Sequence, residues 1–315
     1  MLQASRTEVA VNDDAKQDPM PDGLDAVGDS DLEALAARLD AHADYRVLRR
    51  LERDVRDPEA GPTVRRALYL DVETTGMDAS SDAIIELAML LFGYDAEGRV
   101  TGVEEAFDRF EDPGRPIPPE IQKLTGITDA DVQGQAFDDA EVERFRASAN
   151  LVIAHNARFD RSFIDRRFPA FADMPWACSQ ADVPWRAMGL ESAKLEYLVY
   201  RMGRFYDGHR AIEDCHAGVF LLAQSAPTGE GTFMQRLLDQ ARTPAYLVEA
   251  VGSPFETKDR LRLRRYKWHN PTKTWWKIVP GEALEEERAW LAAEVYGGRN
   301  GARERRIEPK DRFKF

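Results

Sequence analysis

Five short runs with the residue pattern of β-strands constrain the fold more than any other feature of this sequence. They cover residues 66–72, 83–95, 99–112, 151–155 and 176–180. Residues 95–98 predict a tight turn that joins the second run to the third as a hairpin. Helical segments separate the later runs. Three strands in a meander, followed by alternating helix and strand, predict an α/β fold with a mixed sheet flanked by helices.

Apolar residues at helical spacing predict the helices that cover this sheet. Within residues 157–168, the side chains of Phe159, Phe163 and Ile164 fall on one face, which we expect to point inward. Another short helix is predicted after Pro118 and Pro119, and Gly126 ends it. The remaining predicted helices cover residues 31–56, 138–147, 191–202 and 211–224.

The 315 residues are enough for roughly two domains. We expect a disordered acidic tail at 1–30, a lead-in helical segment at 31–60, the α/β domain at 64–226, a linker at 227–243, a small domain at 244–299 and a solvated basic tail at 300–315. The small domain is expected to be of a β-β-α type. Its predicted strands are YLVEAVG, LRLRRYKW and TWWKIV, and its predicted helix is EALEEERAWLAAEVYGG.

The composition is that of a globular protein, with 43% hydrophobic and 31% charged residues. No apolar run approaches the roughly 18 residues of a membrane helix, and the first residues lack the features of a secretory signal. These patterns predict a cytoplasmic protein with no membrane partner. Cys178 and Cys215 are too few for a disulfide framework, so we expect both to be reduced and buried.

The net charge of −13 is spread unevenly, because residues 244–315 carry 16 basic and 11 acidic side chains. Within this segment, basic residues alternate with aromatic ones. Cations can neutralise phosphates while aromatic rings stack on unpaired bases. This pattern suggests nucleic-acid binding by Arg262, Arg264, Arg265, Tyr266, Lys267, Trp268, Trp275 and Trp276. The alternative is that the tryptophans form the core of a small domain and the charges are simply solvated.

Two acids lie at the end of the first apolar run. Asp71 and Glu73 alternate with Val72, so both project from one side of the strand, about 7 Å apart along the backbone. Such a pair can share a divalent cation, although a D-x-E pattern also occurs often by chance. Its setting favours a metal, because acids at the end of an apolar strand cost desolvation energy unless a cation or donors compensate.

Two further clusters carry polar residues. In AHNARFD, Asp160 lies in the first turn of a predicted helix, and the alternative to a functional role is that it and Asn156 serve only the helix terminus. In GHRAIEDC, His209 precedes Asp214 by five residues, a spacing that also suits an ordinary surface pair. The three clusters together are far more specific than any one of them.

In this order, LDVETTG, AHNARFD and GHRAIEDC resemble the motifs of the DEDD 3′→5′ exonucleases, in the branch with a motif histidine. The pattern is similar to that of the epsilon proofreading subunits of bacterial DNA polymerase III. The resemblance covers about residues 66–224, includes the intervening IPPEIQKLTGIT and lacks none of the acids. It implies a ribonuclease H-like fold and makes residues 64–226 the exonuclease domain.

The resemblance implies that Asp71, Glu73, Asp160 and Asp214 hold two Mg²⁺ or Mn²⁺ ions, with His209 as the general base. Hard cations prefer carboxylate oxygens, and an imidazole can accept a proton from the attacking water. Thr74, Thr75 and Gly76 would line the pocket for the terminal nucleotide, and Asn156 would contact substrate. His155 is expected to be structural.

The favoured hypothesis is a metal-dependent 3′→5′ exonuclease that acts on single-stranded DNA or frayed 3′ ends, in repair, proofreading or degradation, and releases nucleoside 5′-monophosphates. One alternative is a 3′→5′ exoribonuclease, since the motifs do not encode sugar preference. Another is an interaction subunit of a replicative polymerase. The additional N-terminal and C-terminal segments favour a stand-alone nuclease over a minimal proofreading subunit.

Overall fold

The computed structural model describes residues 28–226, 229 and 231–314. The chain divides into two compact units, residues 1–48 and residues 49–315. In the first unit, α1 (Asp29–Asp40) ends in a turn, and the Asp40 side chain accepts a hydrogen bond from the Val47 N–H at 2.8 Å. The disordered tail expected at 1–30 lies outside the described residues, apart from residues 28–30 at the start of this helix.

The predicted helix at 31–56 is wrong beyond Asp40, because α1 ends there and the chain turns. In the second unit, β1 (Arg49–Arg50) is extended, and Leu51 and Val55 pack into a hydrophobic core from irregular backbone. Tertiary burial of these two side chains overrides the helical spacing of the apolar residues. None of the helices in the described part of the chain combines the length and apolarity of a membrane span.

A five-stranded mixed sheet forms the centre of the second unit. Its strands are β2 (Arg65–Thr74), β3 (Ile84–Tyr94), β4 (Val100–Phe110), β5 (Leu151–Ala154) and β6 (Trp176–Cys178), in the spatial order β4-β3-β2-β5-β6. The first three strands form the antiparallel meander, while β2, β5 and β6 are parallel. This order confirms the predicted ribonuclease H-like α/β fold and brings the ends of β2 and β5 to one edge.

Helices cover both faces of the sheet. They are α2 (Pro119–Thr125), α3 (Asp129–Val132), α4 (Asp139–Ser148), α5 (Ala157–Arg167), α6 (Leu195–Arg201), α7 (Ala211–Ala223) and α8 (Phe233–Arg242). A two-residue strand, β7 (Arg204–Phe205), pairs in parallel with β1. The predicted end of α2 is confirmed, because Gly126 adopts φ 73° there.

The alternation of β2 divides the apolar core between these two layers. Ala67 and Tyr69 pack with α6, α7 and α8, whereas Leu68 and Leu70 pack with α4 and α5 on the opposite face. The close packing of α7 on β2 requires a glycine at position 218, because a Cβ there would lie 1.9 Å from the Tyr69 ring. This close approach places the first turn of α7 beside the end of β2.

The C-terminal residues form a second, antiparallel sheet. Its strands are β8 (Ala245–Ala250), β9 (Lys267–His269), β10 (Thr274–Pro280) and β11 (Arg303–Arg306), in the order β11-β8-β10-β9. Two helices, α9 (Lys258–Leu263) and α10 (Leu284–Glu294), complete this lobe, and Leu261 and Leu291 lie in its core. The sheet has more strands than the predicted β-β-α arrangement.

Three expectations for this half of the chain are wrong. LRLRRYKW begins as helix α9, in which Leu261 is buried and Leu263 is 84% exposed, whereas a strand would put both on one face. The expected linker contains α8, because Thr232 and Gln235 form a capping box ahead of four buried apolar residues.

The third correction concerns the predicted solvated tail, which forms β11 and then packs on the α/β domain. Arg161, on α5, is 1% exposed, and its guanidinium donates hydrogen bonds to the carbonyls of Arg312 at 2.7 Å and Lys310 at 2.6 Å. Arg312 in turn pairs with Asp182 at 2.5 Å. A buried cation that needs acceptors explains why these residues are ordered.

Candidate active site

The end of β2 and the start of α7 bring three predicted acids together. Asp71 and Glu73 project from one face of β2, and Asp214 lies in the first turn of α7. One carboxylate oxygen from each lies within 4.8 Å of the other two. A single divalent cation can contact oxygens at this spacing, so this trio fits the donor set of a hard metal.

The fourth predicted acid, Asp160, lies in the first turn of α5 and lines the same cleft. It is 2% exposed, and its Oδ2 atom has no hydrogen-bond partner among the described residues. An unsatisfied buried carboxylate oxygen is costly, and a bound cation would remove that cost. The structure therefore supplies an independent reason to place a cation beside Asp160.

The acids also raise one another's pKa values. Burial and then the neighbouring charge of Asp160 hold the pKa of Asp71 well above its ordinary value. Burial, followed by the charge of Asp214, raises the pKa of Glu73 to about 8. Burial raises the pKa of Asp160 to about 8 and that of Asp214 to about 6. At neutral pH, such a cluster becomes more fully ionised when positive charge enters it.

His209 lies at the mouth of this cluster. Its backbone adopts the left-handed conformation, with φ 66°, and its N–H donates a hydrogen bond to Asp214 Oδ2 at 3.0 Å. The imidazole is half exposed, lines the cleft, and has Nε2 3.8 Å from Glu196 Oε1. The side chain is thus free to meet solvent and substrate, while its backbone is fixed to an acid of the cluster.

Neighbouring residues secure this loop. Glu86, on β3, is fully buried and accepts hydrogen bonds from the Arg210 guanidinium and from the Ala211 N–H at 3.0 Å. Tyr206 donates to Asp214 Oδ1 at 2.8 Å. Sequence reasoning missed both Glu86 and Tyr206, because each acts through a tertiary contact that no local pattern records.

The four predicted substrate-binding residues have different positions. Thr74, Gly76 and Asn156 line the cleft, and Asn156 is exposed with φ 66°. The Thr75 side chain instead bonds Arg115 at 2.7 Å and the Ala83 N–H at 3.0 Å, and is not among the residues that line the cleft. A Cβ at Gly76 would meet the Asp82 carboxylate at 2.5 Å, so this glycine is required by the fold.

His155 is held within the structure. Its Nδ1 is 2.9 Å from Ser179 Oγ and its Nε2 is 2.8 Å from the Ala193 carbonyl oxygen. Burial lowers its pKa to about 4, which keeps the ring neutral at physiological pH. These contacts occupy both ring nitrogens and support the structural role expected from the sequence.

The cleft has a volume of about 430 Å³ and is open to solvent. Besides the acids, it is lined by Phe159, Leu124, Gln180 and Lys194. Lys194 is exposed, and no ion pair of its ammonium group is found within residues 28–226, 229 and 231–314. The space suits a terminal nucleotide, with apolar side chains beside the base and a cation near the phosphate.

The eight predicted nucleic-acid-binding residues of the C-terminal lobe divide into buried and exposed groups. Tyr266 is 3% exposed and stacks on Trp290, and Trp275 packs against the same core. Arg264 pairs with Glu286 at 2.8 Å and with Glu287 at 3.3 Å. The exposed residues are Arg262, Arg265, Lys267 and Trp268, and Trp276 is half-buried. The core alternative therefore holds for Tyr266 and Trp275, whereas nucleic-acid binding by the exposed residues stays a prediction.

Comparison with known families identifies the class of this site. Residues 68–222 match the RNase_T family model, described as an exonuclease. This segment of the chain is an exonuclease domain of that family, as its motifs indicated.

Similar proteins include the PolC-type DNA polymerase III of Listeria monocytogenes, 39% identical over 100 residues, and that of Bacillus subtilis, 42% identical over 103 residues. Each match covers 31% of this chain but only 6% of the relative. Solved structures that are similar include Exonuclease X in complex with 5′ overhanging duplex DNA, at 22% identity and a TM-score of 0.42, which covers 55% of this chain and 99% of that one. E. coli Exonuclease I in complex with a dA16 oligonucleotide has 17% identity and a TM-score of 0.43, covering 60% and 48%.

Proposed function

We propose that this protein is a metal-dependent 3′→5′ exonuclease that removes nucleoside 5′-monophosphates from single-stranded DNA or frayed 3′ ends. The observation that carries the proposal is the convergence of Asp71, Glu73 and Asp214 within 4.8 Å, beside the unsatisfied Oδ2 of Asp160. The family match of residues 68–222 supports an exonuclease reaction at this cluster.

Asp71, Glu73, Asp160 and Asp214 would hold two Mg²⁺ or Mn²⁺ ions. When bound, such ions stabilise the negative charge that develops on phosphodiester oxygens during hydrolysis. The raised pKa values of Glu73 and Asp160, both about 8, support this proposal, because a cluster of acids that retains protons also favours cations.

His209 is the proposed general base. Its half-exposed ring lines the cleft next to the acids, so it can accept a proton from the water that attacks the terminal phosphodiester. The hydrogen bond from its N–H to Asp214 fixes the distance between base and acids. Lys194 lies in the same cleft and would neutralise a phosphate of the bound strand.

Asn156, Thr74 and Gly76 line the position of the terminal nucleotide in this proposal, and Phe159 and Leu124 supply its apolar walls. Binding of the terminal sugar and base between these walls would make a free 3′ end the preferred substrate. Thr75 would support this wall from behind, through its contacts with Arg115 and Ala83.

The test uses matched DNA and RNA oligonucleotides labelled at either end, with Mg²⁺, Mn²⁺ or chelator. A 3′-to-5′ enzyme releases a labelled mononucleotide at once from 3′-labelled substrate, and shortens 5′-labelled substrate stepwise. Asp71→Ala should abolish both products, whereas Glu120→Ala, a change at an exposed acid of α2, should not. Release from the 5′ end, or normal turnover by Asp71→Ala, would overturn the proposal.

The similarity to PolC-type polymerases makes a replicative polymerase the second candidate partner. In that case the exonuclease would proofread within an assembly. Gel filtration of the protein with and without a replicative polymerase separates the two cases, because co-elution is expected only for a stable subunit. RNA cleaved faster than DNA would instead favour the exoribonuclease alternative.

A further inference from the structure

A second groove, of about 400 Å³, lies between α5 of the exonuclease domain and the sheet of the C-terminal lobe. Its lining includes Arg158, Leu247, Glu249, His269, Trp276 and Lys314. The first of these residues belongs to α5, the last to the ordered C-terminal segment, and the others to the C-terminal sheet and its turn. This groove shares none of its residues with the catalytic cleft.

The sheet presents one row of side chains toward this groove. In the register of the strands, Trp276 on β10 is flanked by Lys267 on β9 and by Glu249 on β8, and Arg303 on β11 follows Glu249. Residues in register across a sheet project from the same face. The opposite face carries Val248, Ala250 and Val279 into the core of the lobe, so the row with Trp276 lies on the face away from that core.

Trp276 differs from the other aromatic residues of the lobe. Its ring is half exposed in the groove, and the Lys267 ammonium lies 5.6 Å from the ring centroid. Tyr266 and Trp275 contribute to the core, and Trp268, which is exposed, neighbours Lys267 in sequence and so points to the other face of β9. Trp276 therefore contributes a partly exposed indole to the lining of the groove.

The charge of the groove suits a polyanion. Arg158 is exposed and forms no ion pair with any of the described residues. Lys267, Lys314 and His269 add basic groups, while the one acid of the lining, Glu249, lies 3.7 Å from the Arg303 guanidinium. Lys314 pairs with Asp311 at 3.1 Å, so Arg158 and Lys267 are the cations beside the partly exposed tryptophan that suit the phosphates of a single strand.

The groove adjoins the catalytic cleft through α5. Asn156, Phe159 and Asp160 line the cleft, whereas Arg158 lines the groove. Consecutive helical residues point about 100° apart, so the start of α5 presents side chains to both spaces. A strand whose 3′ end lies in the cleft would pass this turn to reach Trp276.

We infer that this groove binds the single-stranded nucleic acid that extends from the catalytic cleft, with a base stacked on Trp276 and a phosphate on Arg158. The inference rests on the proposed exonuclease function and adds a second contact on the same strand. Its chemical consequence is that long single strands bind more tightly than dinucleotides, although the reaction occurs only in the cleft.

Binding is measured without catalysis, by fluorescence anisotropy of 5′-fluorescein-labelled dT20 in chelator, for the full chain and four variants. Trp276→Ala and Arg158→Ala test the groove. Trp268→Ala and Arg262→Ala are matched controls, because both residues are exposed but lie outside the lining. We use point substitutions and not a deletion of the lobe. A deletion would remove the carbonyls of Lys310 and Arg312, which accept hydrogen bonds from the buried Arg161.

Trp276→Ala should weaken dT20 binding about 10-fold, as expected for the loss of one stacked base. Arg158→Ala should reduce the slope of log affinity against log salt concentration by about 1, the change expected for the loss of one phosphate contact. Both variants should hydrolyse a dinucleotide at the wild-type rate, and both controls should bind dT20 normally. Unchanged binding by Trp276→Ala, or an equal loss in Trp268→Ala, would overturn the inference.

These results are separable from a failure of the proposed function. A protein that binds dT20 through Trp276 but hydrolyses no oligonucleotide would retain the groove and refute the exonuclease. A protein that degrades oligonucleotides while Trp276→Ala and Arg158→Ala bind dT20 like the wild type would retain the exonuclease and refute the groove.

Discussion

The phenol of Tyr206 donates a 2.8 Å hydrogen bond to Oδ1 of Asp214, while the other carboxylate oxygen accepts from the N–H of His209. Asp214 is therefore oriented from both sides before any cation arrives. Each donor favours the ionised carboxylate, and so opposes the rise in the pKa of Asp214 that burial causes.

Tyr206→Phe should therefore weaken metal activation. Loss of a hydrogen bond to a charged group costs about 1.5–3 kcal/mol, so the Mg²⁺ concentration for half-maximal activity should rise roughly 10-fold or more. The acid limb of the pH–rate profile should also move to higher pH, since the pKa of Asp214 rises further. Mg²⁺ titrations at several pH values measure both effects. Tyr45→Phe, at an exposed tyrosine of the first unit, is the control, and an equal shift there would contradict this role.

His209→Asn tests the imidazole without disturbing the loop. Asparagine tolerates the left-handed conformation that His209 adopts at φ 66°, and its N–H can still bond Asp214. We expect kcat to fall about 10²–10⁴-fold, the range for loss of a general base, with little change in oligonucleotide binding. His42→Asn, at an exposed histidine, should be neutral. A kcat close to that of the wild type at neutral pH would exclude His209 as the base.

Removal of metal should make stability depend on pH. Burial raises the folded-state pKa values of Glu73 and Asp160 to about 8, from ordinary values of 4.5 and 3.8. Between those limits the folded state binds more protons than the unfolded state, so the free energy of unfolding falls as pH rises from about 4 to 8. Thermal unfolding in chelator should show a lower Tm at pH 8 than at pH 5.

Added Mg²⁺ should raise Tm more at pH 8 than at pH 5, because the cation replaces protons that are lost. A change of 1 kcal/mol corresponds to about 2–4 °C for a unit of this size. Asp71→Asn removes one of the repelling charges, and should make the metal-free protein less sensitive to pH while reducing the Mg²⁺ effect. Equal Mg²⁺ stabilisation of Asp71→Asn and the wild type would argue against cation binding at this cluster.

Lys194→Ala should raise KM for oligonucleotides several-fold, because the cleft loses its one exposed ammonium group among the described lining residues. Lys194→Arg retains the charge and should retain most of the affinity. Lys123→Ala, on α2 and outside the lining, is the matched control. Steady-state kinetics at low and high salt measure the effect, which screening should diminish. An unchanged KM for Lys194→Ala would remove this residue from the substrate site.

The sequence predicted the central sheet well, because β2 and β3 are long apolar runs whose burial leaves few alternatives. It also placed Asp160 and Asp214 in the first turns of their helices. The positions of Tyr206 and Lys194 could not be predicted, since each reaches the cleft from a segment without a motif. Their roles depend on which loops the fold brings together.

The C-terminal half was predicted less well, for a different reason. Glycines and a proline at 226–231 suggested a linker. The capping box of Thr232 and Gln235, which begins α8 directly after them, was therefore missed. Leu261 and Leu263 fit an alternating strand as well as one short helical turn. In short segments, contacts with the rest of the lobe decide between such patterns.

The guanidinium of Arg161 donates hydrogen bonds to the carbonyls of Lys310 and Arg312, which lie 149 and 151 residues further along the chain and are synthesised later. During synthesis on the ribosome, α5 therefore exists for a time with only the Asp165 carboxylate and the Ala172 carbonyl as acceptors for this cation. The other two acceptors reach the helix that carries Asp160 only after residues 310–312 have been translated. The packing around α5 is thereby completed only in the last part of the synthesis of residues 161–312.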